Sequence, residues 1–332
     1  MKLSDIGEFA FIDHFAPMFS GEMHTGILGI GDDCAVLPLG NQKVGLVTTD
    51  MLIENSHFLR NHIPPEDLGY KSLAVNLSDI AAMGGKPLYA FLSLGLPADI
   101  EVSWMDLFFT GMRNLCDQTG VQLLGGDTTK SKTHMIINLL VIGEAAAQAV
   151  KFRSSAETGD LICVTGDLGD SGAGLRLILE KKPITAEQDI LVNRHYRPRA
   201  HLEEGYLLAG FQGVHAMMDV SDGIDSDLQR IMERSGCGAR VSIRRLPCSE
   251  ALREACDCHG WDMYELAATG GEDYCLLCTV HPEVYPSING AFRNAFRRDL
   301  AVIGEITDKQ GLHYYDGDRE IKLTGHGFDH FA

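Results

Sequence analysis

The sequence predicts an α/β protein with α+β character, built as two domains, on three observations. The chain has 332 residues, and single hydrophobic cores seldom grow past about 250 to 300 residues. Apolar strand-like runs alternate with amphipathic helical stretches along its whole length. The two halves also echo one another: Ser78-Asp79, Gly125-Gly126-Asp127 and Val141 to Glu144 (VIGE) against Ser221-Asp222, Gly270-Gly271-Glu272 and Val302 to Glu305 (VIGE). The order matches and the last spacing does not, so the pattern reads as related halves meeting across a cleft and not as a solenoid.

The central element is the helix that contains Lys71 to Gly85, KSLAVNLSDIAAMGG. Pro64 and Pro65 open it, Glu66 and Asp67 suit its first turn, and Gly84 and Gly85 end it. Leu68, Leu73, Leu77, Ile80 and Ala81 follow helical spacing, with Ser72, Asn76 and Asp79 on a neighbouring line. A lone carboxylate among apolar residues costs several kcal/mol, so a cation or hydrogen bonds should face Asp79. The alternative is a hydrogen-bonded structural aspartate.

Before this helix, an opening helix from about Ser4 to Phe19 leads to GILGIGDDCAVLPLG, where Asp32 and Asp33 sit in a glycine-rich turn ahead of a strand from Ala35 to Leu39. KVGLVTTDMLIENSHF gives a strand ending in Thr48, Thr49 and Asp50, with His57 beyond. After it, PLYAFLSLGLP is a strand, EVSWMDLFFTGMRNLCDQTG a helix closed by Gly120, and VQLLGGDTTKS a strand running into a Gly-Gly-Asp turn that puts Asp127 at its C-terminal edge. HMIINLLVIGE closes the first domain, residues 1–148, and a polar connection leads into the second, 149–332. There DLICVTGDLGDSGAGLRLILE gives strand, turn and helix. MMDVSDGIDSDLQRIMERSG gives a strand, the Asp219, Ser221 and Asp222 cluster, and a helix that Ser221 is placed to cap. ATGGEDYCLLCTV puts Glu272 before a strand, LAVIGEI is a further strand, and a polar tail ends the chain.

Composition narrows the function. Lys plus Arg number 28 against 46 Asp plus Glu, a net charge of −18, which argues against a nucleic-acid surface or an anionic membrane partner. Nine cysteines, an odd number, and an N-terminus MKLSDIGEF without signal-peptide features point to a reduced, cytoplasmic protein. No apolar run approaches the roughly 20 residues that span a bilayer. Cys275 and Cys278 lie three apart on a strand and therefore face opposite ways. Cys256, Cys258 and His259 read as a helix end, since no second pair at zinc spacing accompanies them.

What remains is the acids. Asp33, Asp50, Asp127, Asp219 and Asp222 at turns or strand ends, with helix-borne Asp79, are hard oxygen ligands without imidazoles or thiolates, which favours magnesium over zinc. Their spread along the chain excludes an EF-hand loop. Magnesium keeps positions for substrate phosphates, so single-carboxylate contacts suggest ATP. The chain has neither a Walker loop nor protein-kinase signatures, so a different ATP-binding fold is required.

The segments GIGDDCAVL, TTD, NLSDIAAMGG, GGDTT, VTGDLGDSGAGL, DVSDG and GGEDY, taken in order over nearly the whole chain, resemble the thiamine-monophosphate kinase family. Its superfamily includes aminoimidazole ribonucleotide synthetase, selenophosphate synthetase and a hydrogenase-maturation enzyme. The resemblance implies two α/β domains, a homodimer joined through the N-terminal sheets, several magnesium ions, and transfer of the ATP γ-phosphoryl group to thiamine monophosphate. By position it implies metal contacts from Asp33, Thr48, Thr49, Asp50, Asp79, Asp127, Asp219 and Asp222. It implies ATP contacts from Gly126, Asp127, Arg153 and Ser221, and acceptor contacts from His57 and Glu272. Asp79 would bridge metals, Asp50 and Asp127 would lie on the ATP side, and Asp33 and Asp219 nearer the acceptor. Two positions depart from the family pattern. Phe109 stands where many members have a nucleotide-side tyrosine, and Gly325 stands where a substrate-stacking tryptophan is frequent, leaving His326 or Phe328 to supply a ring. The runner-up activity is another ATP-dependent reaction of the superfamily, chiefly aminoimidazole ribonucleotide synthesis. Outside catalysis the alternative is a nucleotide-binding protein that turns nothing over.

Overall fold

The computed structural model describes residues 2, 5–19, 26–182, 184–186, 188–325 and 327, and of Phe9 only the backbone. The start of the opening helix expected at Ser4 and the candidate rings of His326 and Phe328 lie outside the described residues.

Two mixed sheets organise the chain. The first half runs α1 (Gly7–Phe19), β1 (Ala35–Gly40), β2 (Lys43–Ile53), α2 (Pro65–Ala82), β3 (Lys86–Leu96), α3 (Val102–Thr119), β4 (Gln122–Lys130) and β5 (Ile136–Ala146). Its strands order as β1-β2-β5-β3-β4. Only β3 and β4 pair in parallel, joined by the crossover through α3. The second half runs β6 (Leu161–Val164), α4 (Asp170–Leu179), α5 (Asp189–Tyr196), α6 (Leu202–Ala209), β7 (Val214–Asp219), α7 (Ile224–Ser235), β8 (Gly238–Ser242), α8 (Glu250–His259), α9 (Met263–Thr269), β9 (Leu276–Val280), α10 (Tyr285–Phe296), β10 (Ala301–Thr307), β11 (Leu312–Asp316) and β12 (Arg319–Ile321). Its seven strands order as β12-β11-β8-β10-β6-β9-β7.

The helix α2 begins at Pro65 behind Pro64 and closes through Met83 and left-handed Gly84. It is buried on nearly every side, as expected of a helix wrapped by other elements. Leu68, Leu73, Leu77 and Ile80 enter the core of the first half. Ala81 and Ala82 enter a core of the second half with Leu208, Leu276 and Phe292. One helix therefore belongs to both halves. Cys275 and Cys278 fall into different cores on the two faces of the second sheet, and α8 ends at His259 with left-handed Gly260.

Three expectations change. Strand β2 does not stop at Asp50 but continues to Ile53, because Leu52 and Ile53 pair with Ile137 and Ile136 of β5. Strand β4 does not end at the Gly-Gly-Asp turn: it passes through Gly126, whose φ of 153° lies in a region glycine favours, and puts Asp127 in mid-strand opposite Ser93. Helix α7 starts at Ile224 behind Gly223, with no side-chain cap. Ser221 instead accepts the backbone N–H of Glu272 at its carbonyl, at 2.7 Å.

Candidate active site

A strand alternates its side chains between the two faces of the sheet, and on β2 that alternation divides Thr48-Thr49-Asp50. Thr48 points inward under α2, and its hydroxyl donates a short hydrogen bond to Asp79 Oδ2. Asp50 shares the inner face, and its backbone N–H donates to Asn76 Oδ1 of α2 at 3.1 Å. Thr49 points the other way: its hydroxyl donates to the Leu139 carbonyl at 2.9 Å and accepts from Asn138.

Under α2 the chain concentrates negative charge. One carboxylate oxygen each from Asp33, Asp79 and Asp219 lie within 4.8 Å of one another. Asp33 comes from the turn before β1, Asp79 from the last turn of α2 and Asp219 from the end of β7, so both halves contribute. Ser78 fastens them by donating to Asp219 Oδ2 at 2.6 Å. Burial first, and then the neighbouring Asp50, Asp219 and Asp33, push the Asp79 carboxyl well above its ordinary value. Burial and Asp33 push Asp219 up to about 7 and Asp50 up to about 6.

Arg153 is the cation of this region. Its guanidinium makes a two-pronged contact with Asp33, at 2.6 and 3.2 Å, and its backbone N–H meets the Asp32 carboxylate at 3.2 and 3.3 Å. Beside it a cavity of about 360 Å³ is lined by Ile12, Ile30, Asp32, Arg153, Arg230 and Arg234. Asp222 follows the Asp219 strand end, and its backbone N–H donates to the buried Asp227 carboxylate at 3.2 Å.

The structure thus brings together Asp33, Thr48, Asp50, Asp79, Arg153 and Asp219, with Ser221 and Asp222 on the adjoining turn. His57 sits where β2 ends, its Nδ1 accepting the Ile53 N–H at 3.0 Å. Four candidates are not brought to the acid cluster within one chain. Thr49 and Asp127 occupy the outer sheet face, in register with Leu140 and Ser93. Phe109 lies on the exposed side of α3, edge-to-face with Phe108. Gly325 packs by the α9 helix, where its N–H donates to Glu265 Oε1; an added Cβ would meet that oxygen at 3.1 Å.

Two residues without a predicted role surround Glu272. Fully buried Lys71 of α2 meets Oε1 at 2.9 Å and Oε2 at 3.0 Å, and His195 Nδ1 of α5 lies 3.1 Å from Oε2. Burial pushes Glu272 upward, but Lys71 and then His195 outweigh it and hold the carboxyl far below the usual range. Lys71 had a sequence signal of its own, as the one basic residue of the α2 sequence.

This geometry coincides with similarity to known proteins. Residues 31–145 match the model for the N-terminal domain of AIR synthase related proteins, and 157–317 match that for their C-terminal domain. The thiamine-monophosphate kinase of Escherichia coli (strain K12) is 36% identical over 336 residues, covering 98% of each chain. That of Aquifex aeolicus (strain VF5) is 36% identical over 332 residues, covering 100% of each. The solved structure of AaThiL complexed with AMPPCP and TMP superposes with a TM-score of 0.86 at 34% identity, covering 99% of each chain. With both domain models matched and this identity sustained over the full length, the chain belongs to the thiamine-monophosphate kinase family of the AIR synthase related proteins.

Proposed function

We propose that this protein transfers the γ-phosphoryl group of ATP to thiamine monophosphate, giving thiamine diphosphate and ADP. The observation that carries the reading is the convergence of Asp33, Asp79 and Asp219 within 4.8 Å, because like charges so placed under a helix call for a cation. The relative complexed with AMPPCP and TMP supports it, AMPPCP being ATP with a methylene at the β–γ bridge.

The donor set fits magnesium. Its atoms are carboxylate and hydroxyl oxygens, their burial disfavours the uncompensated anions, and the described residues offer no thiolate or imidazole in the cluster. Asp33, Asp79 and Asp219 would hold the ions with Thr48, Asp50 and Asp222, while Thr49 and Asp127 would serve from the outer face. Bound magnesium supplies electrostatic screening between two polyanions and a template for their alignment.

The chain's own residues do the rest. The acceptor is a phosphate monoester with a second pKa of about 6, so near neutral pH its oxygen is already deprotonated and no general base is required. Catalysis then reduces to positioning and charge stabilisation. Arg153 offers a planar fork suited to phosphate oxygens, and Phe109, Gly126, Asp127 and Ser221 would join it in holding ATP. His57, Glu272 and Gly325 would bound the acceptor.

We place the division between the halves at residues 148 and 149, and a homodimer through the first sheet. All nine residues of edge strand β4 are exposed, and Tyr89, Phe91, Leu123 and Leu124 are exposed on and beside it. An unpaired edge with apolar neighbours favours pairing with a second copy. A cytoplasmic location accords with nine free cysteines and with the lack, among the described residues, of a helix long and apolar enough to cross a membrane.

The test is a magnesium-dependent incubation with ATP and thiamine monophosphate, with thiamine species and adenine nucleotides separated by chromatography. Equimolar thiamine diphosphate and ADP are expected. ADP release with a formylglycinamidine ribonucleotide, and none with thiamine monophosphate, would move the assignment to aminoimidazole ribonucleotide synthesis.

A further inference from the structure

Glu272 is held in an unusual way. It has a φ of 63° and Tyr274 a φ of 51°, a left-handed backbone region that costs a non-glycine residue about 1 to 3 kcal/mol and persists only where surroundings enforce it. The enforcement is visible: the N–H groups of Glu272 and Tyr274 donate to the carbonyls of Ser221 and Val220 at 2.7 and 2.8 Å. Lys71, 201 positions away, then grips both carboxylate oxygens, and His195 takes a further site on Oε2. Stability alone does not account for a fully buried lysine here, because an apolar pair of similar volume generally stabilises such a contact as well or better.

A carboxylate accepts at about four lone-pair positions. Lys71 takes one on each oxygen, and His195 Nδ1, which also lies 3.0 Å from Ser171 Oγ, covers Oε2, so Oε1 keeps an open site, and the side chain is 25% exposed. Burial and then Lys71 push His195 below its ordinary pKa, so it is neutral near neutral pH. A lysine cation, a glutamate anion and a neutral histidine sum to zero charge. Such a group reads a hydrogen-bond donor and exerts little pull on a cation.

Its location fits one end of the acceptor. Lys71 and Asp79 lie on one helix, eight residues and so about 12 Å apart. The acid cluster at the Asp79 end would receive the phosphate. Glu272, held from the Lys71 end, would then meet the far end of a phosphate ester bearing two rings.

We propose that Lys71, backed by His195, is a positioning residue that aims the one open acceptor site of Glu272 at the pyrimidine amino group of thiamine monophosphate, selecting for that donor and not for the thiazolium charge. This rests on the phosphoryl-transfer reading above.

Steady-state kinetics on the full-length protein tests it, with Lys71→Met, Glu272→Gln and the double variant. The acceptors are thiamine monophosphate and its analogue with oxygen replacing the pyrimidine amino group. Lys71→Met is expected to raise the KM for thiamine monophosphate about tenfold while the KM for ATP and kcat stay within about threefold. The double variant should match Glu272→Gln in acceptor KM, and the preference for amino over oxo acceptor shown by the unsubstituted protein should vanish in all three variants. Multiplying effects in the double variant, or a preserved preference in Lys71→Met, overturns the proposal. If Lys71→Met does not fold, the double variant, which buries a neutral pair, is compared with Glu272→Gln and decides the same question. An unsubstituted protein that forms no thiamine diphosphate refutes the activity and this inference with it, an outcome distinct from an active enzyme indifferent to Lys71.

Discussion

Replacing Asp79 with asparagine separates the cost of the acid cluster from its use. The substitution keeps the shape and still accepts the Thr48 hydroxyl, but removes one of three ionisable carboxyl groups within 4.8 Å. Two unit charges at that separation and an effective dielectric of about 20 repel by about 3 kcal/mol. Magnesium-free Asp79→Asn should therefore be more stable than the unsubstituted protein near neutral pH, with a melting temperature higher by on the order of 5 °C. The pH dependence has a definite sign. The Asp219 carboxyl is raised from 3.8 to about 7 in the fold, so the folded state binds that proton more tightly than the unfolded chain. Stability from this group is fully present below about pH 4 and is lost as pH rises through about 7. Magnesium-free unsubstituted protein should melt higher at about pH 5.5 than at about pH 7.5, and the variant should show a smaller difference. Scanning calorimetry with chelator, and again with magnesium chloride, measures both. Magnesium should raise the melting temperature of the unsubstituted protein and leave that of the variant nearly unchanged, while kcat falls by orders of magnitude. A variant that melts no higher without magnesium, yet is still stabilised by it and still turns over, would refute the assignment of Asp79 to the metal cluster.

Other positions make sharper or simpler tests. Gly126→Ala places a Cβ 1.6 Å from the Leu92 carbonyl oxygen; it should cost about 3 kcal/mol or more and be read as lost stability in denaturant titration. His57→Ala should raise the KM for thiamine monophosphate more than that for ATP; equal changes in both constants would remove it from the acceptor site. Leu124→Lys puts a charge on an exposed edge-strand residue and should convert the proposed dimer to monomer in sedimentation equilibrium, whereas an unchanged mass would move the interface elsewhere.

Local chemistry carried much of the fold. Pro64, Pro65 and Gly84 mark the ends of α2 in the sequence as they do in the structure, and Gly236 ends α7 in the left-handed conformation its type suggests. The strand ends were less legible because pairing, not composition, sets them. Gly125-Gly126-Asp127 has the residues of a turn, yet β4 stays extended because Gly126 must pass the backbone of β3 too closely for any side chain. Alternation on β2 was available in the sequence and separates Thr49 from Thr48 and Asp50. The matching placement of Asp127 required the register of β4 against β3, which no local pattern carries.

The same limit applies to the site, with a physical cause. Asp67 lies one turn before Lys71 and is its natural local partner, but Asp67 binds Arg197 at 2.8 Å, and Lys71 turns to Glu272 in the other half of the chain. At the far end of the same helix, Ser78 reaches Asp219, 141 positions away. The sequence of α2 specifies a helix bearing a lysine and an aspartate; what each meets is decided by how the second sheet docks against it. Ala81 and Ala82 set that docking by entering the core of the second half, where their small side chains let α6 approach so closely that a Cβ on Gly205 would meet the Ala81 carbonyl at 2.2 Å. The acid cluster and the Glu272 contact are therefore not independent sites. A change in the tilt of α2 moves both ends, so apolar packing at Ala81 constrains the phosphate and organic ends of the acceptor together.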